Sequence, residues 1–327
     1  MSQARDFADS FSAVSTGRRN MIINGAFEVA QRSTSEVTGA GYTTVDRWRF
    51  PAAGQKTQQV TNDRDLSIPK MLKATSSSTG YGIINQRIED VTKTSGQTVT
   101  ASFWAKTSDF NDFRFYIYQK FGTSGSSDVT VIDDADYFTV SGSGWTQYTA
   151  TVTIPSVSGK TIGTGSSLDF GFGPNSGTDS GVVYYSEVQL ELGNSASPFE
   201  HRSYGEELAL CSRYCQKIKS NRVNTLHHGR GWDGDEFQFL IPTLGEMRSD
   251  NMSHSGDGSF TVYGDIGINS YASDGDDKHA TTPITSWVNV GSHVVGQIKA
   301  SSNLVTGGNT VWWSMDHDAY FLIESEL

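Results

Sequence analysis

Thr98-Val-Thr-Ala-Ser-Phe-Trp-Ala-Lys-Thr107, set beside Trp145-Thr-Gln-Tyr-Thr-Ala-Thr-Val-Thr-Ile154, decides the fold class. In the first stretch Val99, Ala101 and Phe103 fall on one side of an extended chain; in the second Tyr148, Ala150, Val152 and Ile154 do. Side chains of a strand alternate with period two, so each stretch reads as a strand with one buried face. Outward from this pair the same texture continues. Met21–Phe27, Val45–Phe50, Lys70–Ala74, Tyr81–Ile88, Phe113–Phe121, Leu168–Phe172 and Val182–Leu192 are short runs of aromatic and β-branched residues, separated by Gly, Ser, Asn and Asp clusters. Many strands with turns and no helices between them predict an antiparallel sandwich or jelly roll rather than a parallel α/β sheet.

The pattern changes once. Ser203-Tyr-Gly-Glu206 has the spacing of a capping box, in which Ser203 caps a helix and Glu206 reaches back to it. Leu208, Cys211, Cys215 and Ile218 then recur at three- and four-residue intervals, which predicts one amphipathic helix over 207–218. Strands follow again at Phe237–Ile241, Phe260–Tyr263, Ser286–Ala300 and Thr310–Glu324, the last interrupted near Met315–Asp318. The two long ones are expected to turn back on each other through Gly307-Gly308-Asn309. The reading is an all-β chain: an N-terminal segment (1–17), a jelly-roll β-sandwich (18–202), a linking helix (203–219), and a smaller β-sandwich or barrel (220–327).

With 327 residues, two domains are the default. Only 19% of residues are charged while 11% are aromatic, which marks a folded chain rather than a disordered one. The formal net charge of −11 excludes a phosphate-neutralising nucleic-acid binder. Much of the charge sits between Asp233 and His279, where Asp233, Asp235, Glu236, Glu246, Asp250, Asp257, Asp265, Asp274, Asp276 and Asp277 face only Arg248 and Lys278. Such a lobe either keeps the surface solvated or selects cationic and metal-bridged partners. No apolar run approaches the ~20 residues needed to span a bilayer, so membrane insertion is not expected. Asp6 and Asp9 interrupt the first residues, and no signal peptide is read there. The chain is then expected in a reducing compartment unless it leaves by lysis or inside a particle.

Catalysis finds little support. Asp133/Asp134, Asp276/Asp277 and Asp316/Asp318 are acidic pairs, and Asp316-His317-Asp318 or His227-His228 with Asp233 could offer metal ligands. None has the spacing of a recurring zinc or acid–base motif. No Gly-x-Ser-x-Gly stands between a strand and a helix, and no repeat period suggests a depolymerising β-helix. The chain reads as one that binds or builds.

Two resemblances extend this reading. Arg19-Asn-Met-Ile-Ile-Asn-Gly-Ala-Phe-Glu28, followed by Gln86–Glu89, Gly96–Trp104, Trp145–Pro155 and Tyr184–Gly193, resembles the jelly-roll carbohydrate-binding modules. Val188-Gln-Leu-Glu-Leu-Gly193 with Ser197-Pro-Phe-Glu-His-Arg-Ser-Tyr-Gly-Glu-Glu-Leu-Ala-Leu-Cys-Ser-Arg-Tyr214 resembles a junction in tail-fibre and related appendage proteins of bacteriophages. Gly17–Gln31 and Tyr42–Trp48 are similar to the same proteins.

The resemblance implies a virion surface protein, a tail fibre or spike that contacts a glycan or another receptor on the host during adsorption. A capsid decoration or knob protein and a free carbohydrate-binding module are the alternatives. It implies a homotrimer, for which Leu208, Cys211, Cys215 and Ile218 would supply the interface, although the same stripe could lie on its own sheet. Phe7, Phe11 and Val14 would dock the chain on other virion proteins, or simply belong to a frayed terminus. In such jelly rolls a calcium ion is held by acids of the opening and closing strands; Glu28 and Glu187 stand as its ligands here, whereas Ala26 and Ser186 replace carboxylates. No other cofactor is implied. Glycan contact would come from exposed aromatics. Trp48, Trp104 and Trp145 are candidates, with core packing the competing role for each, and Tyr81, Tyr116 and Tyr118 are equally open. In the distal domain Trp232, Asp233 and Asp235 in a Gly-rich loop, with Trp312 and Trp313, form the expected contact set.

Overall fold

A computed structural model describes residues 18–76, 82–140, 142–174 and 180–219; beyond these it describes the strands between residues 227 and 324, with 248 and 326. The chain forms two compact units, one ending at Leu208 and the other spanning Ala209–Glu326. Phe7, Phe11, Val14 and Tyr81 lie outside the described residues.

Ten strands build the first unit: β1 (Val37–Thr38), β2 (Lys56–Thr61), β3 (Lys70–Ser76), β4 (Ile84–Glu89), β5 (Thr98–Lys106), β6 (Asp112–Lys120), β7 (Val129–Thr139), β8 (Thr146–Thr153), β9 (Ser167–Gly173) and β10 (Gly181–Leu192). They form a six-stranded sheet, β1-β2-β3-β10-β5-β8, and a four-stranded sheet, β4-β9-β6-β7. All pairs are antiparallel, and the chain passes repeatedly from one sheet to the other, as a jelly-roll sandwich requires. The two alternating stretches that set the fold class pair directly. Val99 lies opposite Val152, Ala101 opposite Ala150 and Phe103 opposite Tyr148. Phe103 then stacks on Phe172 of the other sheet with centroids 3.8 Å apart, and Trp48 meets Phe172 edge-on at 6.3 Å. Each such ring, fully buried, stabilises the sandwich by roughly 1.5–3 kcal/mol.

Two expected strands are turns instead. At 21–27 and 45–50 the backbone takes positive φ at Asn24 (60°), Phe27 (57°) and Arg47 (71°), which a regular ladder does not accommodate. Side chains replace the ladder. Asn24 Nδ2 donates to Val29 O (2.8 Å) and Asp46 O (2.9 Å), and Trp48 Nε1 donates to Asn24 O (2.9 Å). Gly25 has its own reason: a Cβ there would lie 2.2 Å from Val188 O, where β10 bulges. Conversely, β2 and β7 escape period-two reading. Lys56–Thr61 is mostly polar, and β7 is an edge strand with Asp133, Asp134 and Asp136 along it, a composition that discourages edge-to-edge pairing.

The two stretches of the tail-fibre resemblance meet in space. Arg202 donates to the carbonyls of Ile22 (2.9 Å) and Asn20 and pairs with Glu207 (3.3 Å), whose carboxylate also accepts from Asn24 N–H. Asn20 bridges to β10, accepting from Leu190 N–H at 3.1 Å. Two backbone bonds tie the opening segment to β10, Met21 N–H to Leu190 O (2.8 Å) and Val188 N–H to Gly25 O (2.9 Å), and the buried polar clasp satisfies carbonyls they leave, as buried backbone groups demand.

The linking helix is shorter than its apolar spacing predicts. The capping box forms: Ser203 N–H donates to Glu206 Oε2 at 3.1 Å, and Glu207 N–H reaches Ser203 O at 3.0 Å. Yet α1 covers only Tyr204–Cys211. A turn closes it, with Tyr214 N–H on Cys211 O at 2.9 Å, and β11 (Cys215–Lys219) begins at once. Leu208 and Cys211 are therefore helical, whereas Cys215 and Ile218 sit on a strand and no single helical stripe joins the four. A five-residue ladder with Tyr320–Glu324 outcompetes a weak three-to-four spacing.

In the second unit β11 forms a three-stranded sheet with β14 (Ser253–Asp257) and β20 (Tyr320–Glu324), in the order β11-β20-β14. A seven-stranded sheet contains β12 (His227–Asp233), β13 (Glu236–Pro242), β15 (Phe260–Gly264), β16 (Lys278–Ala280), β17 (Ile284–Val290), β18 (His293–Lys299) and β19 (Thr310–Met315), in the order β16-β15-β19-β12-β13-β18-β17. The expected long strand over 286–300 is a hairpin, with Val290 opposite His293. Its expected reversal onto the last strand does not occur, because β18 pairs with β13 and β17 while β19 pairs with β12 and β15. The interruption expected near Met315–Asp318 separates β19 from β20.

Candidate functional site

Inward alternation dictates what points outward. With Phe103 and Ala105 of β5 in the core, Trp104 and Lys106 stand on the outer face of the six-stranded sheet. With Val183 and Tyr185 of β10 inside, Tyr184 and Ser186 stand beside them: Tyr184 is opposite Lys106 and Ser186 opposite Trp104. Trp145, just before β8, completes the group. Trp104, Trp145 and Tyr184 are each half-buried.

Beyond Ser186 the ladder slips, and Glu187 adopts a φ of 53°, uncommon for a residue with a side chain. The bulge re-aims the Glu187 carboxylate onto the Arg64 guanidinium. Arg64 in turn lies over Trp104, 4.3 Å from the ring centroid. Its loop, between β2 and β3, is pinned by Asn62 Nδ2 donating to Ser186 Oγ (3.1 Å) and by Asp65 accepting from Ser67 N–H (2.9 Å). Asp63 of the same loop accepts from Trp145 Nε1 (2.9 Å) and Lys106 Nζ (2.5 Å). Lys106 Nζ stands 5.1 Å from the Trp145 ring and 5.0 Å from that of Tyr184. Leu66, at the loop's outer end, is 91% exposed.

The electrostatics follow from these contacts. The hydrogen bond from Lys106 holds the Asp63 carboxyl below its usual range, assisted by Trp145. Burial pulls the Arg64 guanidinium below its ordinary value, with Asp65 opposing. Three aromatic rings interleaved with matched charges offer apolar faces for C–H groups and donors and acceptors for hydroxyls, the chemistry of a site for a polyhydroxylated ligand.

Trp48 is fully buried and serves the core, whereas Trp104 and Trp145 stand outside it. Sequence reading missed Asp63, Arg64, Lys106 and Tyr184 as site residues. One signal was present: Trp104 falls on the opposite side of its strand from Val99, Ala101 and Phe103. The calcium ligands do not assemble. Glu28 pairs with His201 at 3.1 Å, Glu187 is matched by Arg64, and Ala26 offers no oxygen from its side chain. Among the described residues no three His, Cys, Asp or Glu side chains form a metal-holding group, and this donor set does not fit calcium.

In the second unit Trp232 and Asp233 lie on β12 rather than in a loop, Trp232 at a register shift between Gly231 and Asp233. Trp312 and Trp313 are consecutive on β19, in register with His228 and His227 of β12. Asp235 lies outside the described residues.

No protein-family model matches the chain, and no curated protein matches it. Among solved structures it is similar to the CBM22-2 xylan-binding domain of Xyn10C from Paenibacillus barcinonensis, at 20% identity over 45% of this chain and 92% of that one, with a TM-score of 0.31. A CBM4 structure is similar at 15% identity over 45% of this chain and 95% of that one, TM-score 0.31. The enzymatically active domain of bacteriophage CBA120 tailspike protein 4 is similar at 14% identity, TM-score 0.33, covering 53% of this chain and 21% of that one. These are likenesses of chain path; the jelly roll stands on the strand register described above.

Proposed function

We propose that the chain binds glycan through the outer face of its six-stranded sheet, without turning it over, and serves as an adsorption appendage on a phage particle. The observation that carries the glycan reading is the trio Trp104, Trp145 and Tyr184, grouped on one outer face away from the aromatic core. The bulge at Glu187 supports it, since a strained residue that orients Arg64 over Trp104 is a device for positioning rather than for packing. The appendage role rests on the sequence resemblance, whose two halves meet in the Arg202–Glu207 clasp.

Retardation of the full chain in gels containing a panel of polysaccharides tests the first part. Trp145→Ala is expected to weaken binding about tenfold or more, a loss of stacking on the order of 1–3 kcal/mol. Equal retardation of the wild type and the variant by every bound polymer would refute this face. For the second part, antibody labelling of intact particles should mark the tail; label spread over the shell would make the chain a decoration protein.

A further inference from the structure

The opposite face of the sandwich is organised differently. Register sets its side chains in rows across the four-stranded sheet. One row runs Arg49, Asn85, Gly171, Tyr116, Asp133, with Arg49 joined to Asn85 by an isolated bridge. The next runs Arg87, Asp169, Tyr118, Thr130. An inner layer is buried: Asn85 Nδ2 donates to Asp169 Oδ1 at 3.1 Å, and Tyr116 lies across Gly171, where a Cβ would meet its ring at 2.4 Å. Burial raises the Tyr116 hydroxyl well above its ordinary value and raises the Asp169 carboxyl.

Above this layer lie half-buried Arg49, Arg87, Arg114, Tyr118 and Lys120. Arg114 is committed to Asp133 through two 2.7 Å bonds, and Lys120 to Asp128 at 2.8 Å. Arg87 Nε stands 3.6 Å from Asp169. Arg49 acts on the same carboxylate only at a distance and has no ion pair or side-chain hydrogen bond among the described residues. Two guanidinium groups thus share one buried carboxylate. On a chain of net charge −11, the row that begins at Arg49 carries an uncommitted planar cation.

We propose that this second face binds an acidic polysaccharide segment, with a sugar carboxylate on Arg49 and a ring further along against Tyr118. A guanidinium presents a donor fork that matches a carboxylate. Arg49 and Tyr118 stand three strand spacings apart and two residues along the strand, roughly 16 Å, so one small anion cannot reach both and a chain of sugars can.

The test uses the full chain and a panel of carboxylated polysaccharides, each paired with the same polymer after reduction of its carboxyls to alcohols, run at low and high salt. Expected is salt-sensitive binding of at least one carboxylated member, weakened about tenfold by reduction and by the same factor in Arg49→Gln. Equal affinity for both members of every pair, an unchanged Arg49→Gln, or no carboxylated polymer bound at all would overturn the proposal. If Trp145→Ala loses the acidic polymer and Arg49→Gln keeps it, the six-stranded face takes the acid and the second site falls. Loss of neutral polymers alone in Trp145→Ala leaves the two faces distinct. Retained thermal transitions in both variants separate binding loss from unfolding.

Discussion

Replacing Arg64 by methionine isolates what the bulge does. The unbranched side chain keeps a stem over Trp104 and removes only the charge that matches Glu187. The Glu187 side chain is 8% exposed and that of Arg64 15%, so the pair is largely desolvated and screening discounts it little. Two unit charges about 4 Å apart attract by ~4 kcal/mol at an effective dielectric near 20. Stranding one partner of a buried pair costs about 3–5 kcal/mol, because the remaining charge has lost both water and counter-ion. The expected loss is about 3 kcal/mol at pH 7. For a unit of this size that lowers Tm by roughly 6–12 °C. Adding Glu187→Gln should recover at least half of the loss, since a neutral pair carries no buried charge. Urea unfolding followed by tryptophan fluorescence, with Trp104 beside the substitution, measures all three proteins. A single variant within about 0.5 kcal/mol of wild type, or a double variant no better than the single, would refute the reasoning.

Gly25→Ala sets a Cβ against the backbone oxygen of Val188, which no rotamer change relieves; a loss of about 3 kcal/mol is expected in urea unfolding, and a change below 1 would mean that β10 yields freely at its bulge. Acid should weaken the first unit. Asp63, Asp133 and Asp128 are held low chiefly by hydrogen bonds from Lys106, Arg114 and Lys120, so their contribution is full above the unfolded value near 4 and lost as pH falls through the folded values. Asp169, raised by burial, acts in the opposite sense, and a Tm that stays flat down to pH 3 would contradict the dominance of the three lowered carboxyls. Chelation should leave the melt of the first unit unchanged, because Glu187 already has Arg64 and Glu28 has His201; a lowered Tm would reinstate a structural ion.

What could be read from sequence was whatever period two controls. Val99, Ala101 and Phe103 against Tyr148, Ala150 and Val152 gave both strands and, as it proved, their pairing. The same rule applied to the other side would have placed Trp104 outside the core. It could not find Arg64 or Asp63, which reach the site from a loop, nor Glu187, whose direction is set by a bulge. Asn24 and Arg47 looked like strand residues because their neighbours are apolar, whereas side-chain bonds to carbonyls hold both in turns. Cys215 and Ile218 looked helical because spacing alone cannot weigh a ladder formed with residues a hundred positions away.

The bulge in β10 joins fold to function. Gly25 must be small because Val188 approaches it there, Asn20 holds the adjoining carbonyl at 3.1 Å, and the slipped residue Glu187 orients Arg64 over the aromatic face. The opening Asn-Gly motif, remote in sequence from the site, is therefore part of what shapes it. Under the proposed glycan reading, a change at Gly25 that leaves the protein folded is expected to alter affinity through Arg64, whereas a comparably destabilising change at Ile117, inside the opposite sheet, is not. Comparing Gly25→Ala with Ile117→Ala, expected to cost about 2–5 kcal/mol, at temperatures where both are folded separates these effects. Equal affinities in the two variants would show that the bulge supports the sandwich and nothing more.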